Sequence, residues 1–288
     1  MLVVSAHHCR EIFTPEIALT AIENLTSQYG ADPAVTAAVN DYEIWIAPVW
    51  NPDGYNEVFV GNNLWRKNRR NFGAAIGVDL NRNYPVGWSS SCGGSTNPSS
   101  DSYRGPSSAS EAETQTMLAW HADKRFAKII DYHSSGREVL YSYGTCWSHP
   151  LNSFLQSEAI ALSNASGYGG SHRRPSANGE HYEDAYTGFG SHAFLIETHT
   201  TFQPSHASAL AEAAQLWPGI QWMLARPISL SGRVTDACSG QPITANVSFG
   251  LNYTNGEGNE SGGLYGRYQQ RRPHGPYTAT CSAPGYTS

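Results

Sequence analysis

His8 and Glu11 stand three residues apart in the run His8-Cys9-Arg10-Glu11. In a helical turn, residues at this spacing lie ~5–6 Å apart at Cβ and can grip one cation from the same side. A third ligand must come from elsewhere, and His133 follows an apolar strand candidate. Two His and one Glu with an open fourth position is a catalytic zinc arrangement, whereas structural zinc sites are closed and usually use cysteines. Glu197 follows another apolar segment and is a residue type able to bind metal or move a proton. His7 is an adjacent decoy, one residue further from Glu11. The five cysteines (Cys9, Cys92, Cys146, Cys238, Cys281) show no C-x-x-C spacing, so neither a thiolate zinc site nor a thioredoxin-like motif is expected.

A basic run, Leu64-Trp65-Arg66-Lys67-Asn68-Arg69-Arg70, precedes Gly77-Val78-Asp79-Leu80-Asn81-Arg82-Asn83. Its plain reading is a solvated loop. Its chemical reading is that Arg supplies always-charged, bidentate donors for a carboxylate or an oxyanion. The net charge of -6 argues against a nucleic-acid partner, which needs a basic face.

The elements that position these residues alternate between strands and helices. Leu2-Val3-Val4-Ser5-Ala6 reads as a buried strand and residues 12–29 as a helix. Ile44 to Val49 reads as a strand ended by a turn at Asn51-Pro52-Asp53-Gly54. A long Ser/Gly/Pro-rich loop spans 83–110, and a helix runs from Ser110 to about His121. Phe126–Tyr132 and Ala193–Ile196 are further strands, and residues 207–224 form a helix with a kink expected at Pro218. This alternation predicts an α/β domain with a largely parallel sheet. Ligands bind outside the carboxyl ends of strands in open α/β sheets, so one crevice would gather His8, Glu11, His133 and Glu197. Beyond Arg226-Pro227 the pattern turns to short alternating strands with Gly-rich turns, a small all-β unit. A composition of 40% hydrophobic and 15% charged residues supports folded cores. No apolar run approaches the ~18 residues of a membrane span.

The ordered set of motifs resembles the zinc metallocarboxypeptidases of the carboxypeptidase A type over about residues 1–225. The matching stretches are Ala6 to Glu11, Asn51 to Tyr55, Leu64 to Arg69, Gly77 to Asn83, Tyr103-Arg104-Gly105-Pro106 with Ser110-Glu111, Asp131 to Ser134, and Phe194 to Glu197. The resemblance implies a mixed, largely parallel sheet flanked by helices. It implies one zinc ion per chain on His8, Glu11 and His133, with Asp79 accepting a hydrogen bond from the outer nitrogen of His8. It implies that Asn81 and Arg82 hold the free C-terminal carboxylate of a peptide, that Arg69 stabilises the oxyanion, and that Arg10 and Arg66 line subsites. Glu197 becomes the general base on a zinc-activated water. The family's specificity position falls on Tyr182, which leans toward aromatic or aliphatic terminal residues, while nearby Glu180, Glu183 and Asp184 could favour basic ones. The family's mobile Tyr falls on Pro175 by an ungapped count, and Tyr182 or Tyr186 could substitute only in a rearranged loop.

The family carries strands and a helix ahead of its H-x-x-E, but seven residues precede His8 here, so residues 1–226 are expected to be an N-terminally truncated catalytic domain. Residues 227–288 look like a transthyretin-like β-sandwich that lacks its last strand. Cys92 with Cys146, and Cys238 with Cys281, could form bridges, which would need an oxidising, secretory setting. The expected activity is a zinc-dependent carboxypeptidase. The alternatives are an amidohydrolase of the same fold acting on acylated amino acids or cell-wall peptides, and an inactive binding homologue. Cys9 as a nucleophile competes with Cys9 as a small packed residue.

Overall fold

The computed structural model describes residues 1–250 and 260–287. Strand β1 (Leu2–Ser5) is buried along its whole length, as an apolar run without alternation requires when both faces are covered. Helix α1 (Thr14–Ser27) has Pro15 in its first turn and buries Ile17, Ala18, Ala21 and Leu25, a helical periodicity. Helix α2 (Pro33–Asp41) was not expected. Its signal is local: the Asp32 carboxylate accepts from the N–H groups of Ala34 (2.7 Å) and Val35 (3.1 Å), and Pro33 follows the cap.

Strand β2 (Trp45–Ala47) leads into helix α3 (Pro52–Val60). The segment Asn51-Pro52-Asp53-Gly54 is thus a helix start and not a simple turn, with Asn51 Oδ1 accepting from the Gly54 N–H at 3.3 Å. A Cβ on Gly54 would collide with the Cys9 sulfur and the Lys67 carbonyl. The backbone of α3 therefore rests directly on the segment that follows β1.

The chain continues through α4 (Ala112–Lys124), β3 (Lys128–Ser134), β4 (Glu138–Leu140), α5 (Asn152–Ala165), β5 (His172–Arg173), α6 (His181–Phe189), β6 (His192–Thr198) and α7 (His206–Ala225). Pro218 lies inside α7, which runs on past it as one helix with Leu216, Trp217 and Ile220 buried. The sheet order is β2-β1-β3-β6-β4-β5. β1 is parallel to β2 and β3, β3 is parallel to β6, and β4 is antiparallel to β6. The result is the expected mixed, mostly parallel sheet flanked by helices. Its central strands β1, β3 and β6 form the core with Ile129, Ile130, Phe194 and Ile196.

Residues after Arg226 form two antiparallel pairs, β7 (Leu230–Arg233) with β9 (Arg267–Gln270) and β8 (Asn246–Ser248) with β10 (Thr280–Ser282). They lie against the α/β body. Arg271 Nε donates to Glu158 at 2.9 Å, and Gln269 Nε2 donates to the Arg125 carbonyl at 3.0 Å. Cys92 and Cys146 form a disulfide, with Cα atoms 6.1 Å apart. Cys238 and Cys281 are free, so the second suggested bridge is absent.

Candidate active site

Because β1, β3 and β6 are adjacent and parallel, their carboxyl ends open on the same edge. The chain leaves β1 through Ala6, in the left-handed region at φ 56°. It then makes a tight turn in which the Glu11 N–H donates to the His8 carbonyl at 3.2 Å. That turn presents His8 and Glu11 to one point. His133, at the end of β3, reaches the same point from the neighbouring strand.

Three atoms converge there. His8 Nδ1 lies 2.8 Å from Glu11 Oε1, His133 Nδ1 lies 3.0 Å from His8 Nδ1, and His133 Nδ1 lies 3.2 Å from Glu11 Oε2. All three residues are buried. The outer nitrogens face other groups: His8 Nε2 lies 3.0 Å from Asp79 Oδ1, and His133 Nε2 lies 3.3 Å from Asp131 Oδ1 and 3.4 Å from Asn81 Nδ2. A neutral ring that gives its N–H to an outer carboxylate turns its lone pair inward. Two inward lone pairs and a carboxylate this close need a positive charge between them. Zinc ligands at ~2.0–2.1 Å in a tetrahedron stand about 3.3 Å from one another, near the separations found here. The donor set and its geometry therefore fit zinc.

The electrostatics agree. Burial opposes ionisation of Glu11, but His8 and His133 outweigh it and hold the carboxyl well below its usual range. Burial also opposes ionisation of Asp79, and Arg66 and His8 bring it well below its usual value. Burial lowers His8, with Arg66 adding to the effect. His133 is opposed by burial yet raised well above its usual value by Asp131 and Glu11, so the cluster favours a cation at this spot.

Glu197 sits opposite His133 in the β3–β6 register. Burial, and then the charge of Glu11, push its carboxyl up to about 7, and its Oε2 has no hydrogen-bond partner among the described residues. It lines a cavity of about 200 Å³ with His8, Glu11, His133, Arg66, Asn81 and Arg82. Asn81 and Arg82 arrive on a 3-10 turn, Leu80–Arg82, capped by Asp79, which accepts from the Asn81 N–H at 3.1 Å. Arg82 Nη1 donates to the Asn81 carbonyl (2.6 Å) and to Glu180 (2.9 Å).

The remaining expected residues divide. Arg66 lines the cavity and grips Asp79 through Nε (3.0 Å) and Nη2 (2.8 Å). Arg69 does not reach it: its guanidinium lies over the Trp65 ring at 4.8 Å and pairs with Glu57 at 3.4 Å. The path of the loop turns Arg66 inward and Arg69 outward. Arg10 stands at the rim, 4.4 Å over the ring of Phe202 and paired with Asp101 at 3.0 Å. Tyr182 is fully buried in α6, away from the cavity lining. Tyr186 is also buried, its ring 5.3 Å from that of His149. The wall is built instead by Glu180 and Phe202. Gly179, at φ 87° and close to the Arg82 carbonyl, turns Glu180 toward Arg82 just before α6 begins. Phe202 carries no motif that marks it as a site residue. Cys9 is buried in contact with the Lys67 carbonyl (3.4 Å), and burial pushes its thiol up, so it is a packed residue and no nucleophile.

Residues 1–207 match the zinc carboxypeptidase family, Peptidase M14. Carboxypeptidase A2 of Mus musculus is 37% identical over 140 residues, covering 48% of this chain and 33% of that protein. Metallocarboxypeptidase A of Trichophyton rubrum is 38% identical over 150 residues, covering 50% of this chain and 35% of that protein. The match thus spans about a third of the length of these curated relatives. Among solved structures, carboxypeptidase A from Helicoverpa armigera superposes with a TM-score of 0.67 at 26% identity, over 76% of this chain and 59% of that one. Bovine thrombin-activatable fibrinolysis inhibitor has a TM-score of 0.68 at 20% identity, over 78% and 81%, a likeness of fold.

Proposed function

This chain belongs to the zinc carboxypeptidase family, and from that premise we propose that it removes C-terminal residues from peptides. The observation that carries the reading is one cavity holding the His8–Glu11–His133 cluster, the unpartnered Glu197 oxygen and Arg82. His8 Nδ1, Glu11 and His133 Nδ1 hold a single zinc ion. Bound there, zinc supplies Lewis-acid polarisation of water and of the scissile carbonyl. Asp79 fixes the ring of His8.

Glu197 takes a proton from the attacking water and passes it to the leaving nitrogen. Arg66, rather than Arg69, donates to the developing oxyanion; loss of one such donor typically costs ~10²–10³ in rate. Asn81 and Arg82 receive the terminal carboxylate. Arg82 keeps Nη2 without a partner among the described residues, and that nitrogen is the donor for it. An internal peptide would leave the Arg82 Nη2 donor without its carboxylate partner at a cost of about 1–3 kcal/mol, which favours chain ends. Arg10 with Phe202 forms the entrance, and Glu180, in place of Tyr182, faces the terminal side chain.

The reading extends to a secreted protein, supported by the Cys92–Cys146 disulfide. Residues 1–226 act as the catalytic domain. Residues 227–288 act as an accessory transthyretin-like module, supported by the antiparallel pairs β7–β9 and β8–β10. The test is to load the chain with zinc and offer one peptide with a free C-terminus and the same peptide amidated. The expected result is cleavage of the free form only; equal cleavage of both would overturn the assignment.

A further inference from the structure

Behind the cluster lies a polar chain of residues fully shielded from solvent: Tyr84, His7, Asp131, His181 and His121. The geometry points to Asp131 as a positioning residue whose one carboxylate dictates which nitrogen each of three imidazoles presents to its surroundings, His133 among them. The inference rests on the metal-site reading above and adds a residue to it.

Asp131 and His133 are alternate residues of β3, so their side chains leave the strand on the same face. Asp131 Oδ1 lies 3.1 Å from His7 Nδ1 and 3.3 Å from His133 Nε2; Oδ2 lies 2.8 Å from His181 Nδ1. An ionised carboxylate only accepts, so His7 Nδ1 and His181 Nδ1 each carry a proton; His133 Nε2 stands between Asp131 Oδ1 and the Asn81 amide nitrogen, 3.4 Å away, and the carboxylate's charge favours the N–H form there. The outer partners follow from these protons. His7 Nε2 is left a lone pair and accepts from the Tyr84 hydroxyl at 3.1 Å. His181 Nε2 is left a lone pair and accepts from the Nε2–H of His121 at 2.9 Å. His133 Nδ1 is left a lone pair, and it points at Glu11 and His8. The rings are held close as well: His7 lies 5.6 Å from His133 and 5.1 Å from His181, centroid to centroid.

The arrangement reaches the substrate side too. The backbone N–H of His181 donates to Asn81 Oδ1 at 2.8 Å, so the residue that anchors His181 also steadies the start of α6 and the Asn81–Arg82 turn. An amide at position 131 would set an N–H against one of these ring N–H groups. At least one ring would then have to turn over or change tautomer.

The experiment has two arms on the full chain. In the first, chelator competition measures zinc affinity of wild type and of Asp131→Asn, with circular dichroism of the zinc-free forms as the folding control. The expected result is an affinity about 10–100-fold weaker in the variant with one zinc per chain in the wild type. In the second, nitrogen-15 NMR of the histidine rings in the wild type reads the tautomers directly. His7 and His181 should appear as Nδ1–H forms, and zinc-loaded His133 as Nε2–H with its Nδ1 on the metal. Overturning results are an unchanged affinity in a folded Asp131→Asn, an Nε2–H form of His7 or His181, or a second zinc per chain held by His7, Asp131 and His133. Neither arm uses a peptide, so absence of hydrolysis would sink the proposed activity and leave this inference standing.

Discussion

His8 and His133 face each other through their Nδ1 atoms at 3.0 Å, each with its Nε2 against a different buried carboxylate, Asp79 for one and Asp131 for the other. Two strands and a turn are thereby committed to one point in space, and the consequences can be measured.

Zinc should stabilise the folded chain by mass action. At a free concentration 100 times its Kd the gain is about 2.7 kcal/mol, visible as a higher Tm. His133→Ala, which deletes one of the converging atoms, should show no such rise with zinc. Stripping the wild type with a chelator should abolish hydrolysis, and added zinc should restore it.

Glu197→Gln keeps the shape of the cavity wall and removes the proton acceptor. Hydrolysis should fall ~10²–10⁴-fold, with zinc content unchanged by metal analysis. The carboxylate form is the active one, so kcat/KM should fall as pH drops through the Glu197 pKa. That value is about 7 from burial and the charge of Glu11, and zinc beside it pulls it lower. The acid limb should therefore lie below about pH 7, and Glu197→Gln should lack it.

Arg66 and Arg69 separate cleanly. Arg66→Ala should lower kcat by ~10²–10³. Arg69→Ala removes a half-exposed pair with Glu57 and a contact with Trp65, so it should cost about 0–1 kcal/mol of stability and change kcat less than a few-fold. Steady-state kinetics on the two variants decide which arginine serves the reaction.

Glu158 ties three parts of the chain together. It accepts from Arg226 at 3.0 Å and Arg271 at 2.9 Å and faces His192 at 3.2 Å. Burial opposes its ionisation, but His192 and Arg271 bring its carboxyl down from 4.5 to about 2. A depressed carboxyl contributes stability that is complete above its unfolded value and lost as pH falls through the folded one. Discounted for solvent screening, the contribution is on the order of 1–2 kcal/mol, present above about pH 4.5 and gone near pH 2. Protection factors of the β9 amides, corrected for the intrinsic exchange rate, should fall as pH drops across that window, and Glu158→Gln should lower them already at pH 7.

The parts legible in the sequence share a cause. β1, β3 and β6 are apolar runs whose next residues are polar, so both the strands and the edge carrying the chemistry could be placed from the chain alone. His8, Glu11, His133, Asp79, Asn81 and Arg82 lie in the ordered motifs, and the fold brings them to one crevice. Helix α6 escaped because His181, Glu183 and Asp184 are polar residues that the fold buries, which reverses the usual amphipathic signal. The choice between Arg66 and Arg69 escaped because a run of basic residues carries no periodicity; tertiary path decides which one turns inward. Phe202 escaped because only its neighbours in space give it a role. Asp131 had a signal, its two-residue spacing from His133 on one strand.

Cys9 occupies the position next to His8, where an accessible sulfur would compete for the ion or be oxidised beside it. Backing α3 onto that sulfur through Gly54 closes it off. The His8–Glu11–His133 cluster is thereby insulated from thiol reagents and peroxide, so iodoacetamide should leave any turnover intact while a hydroxamate should not.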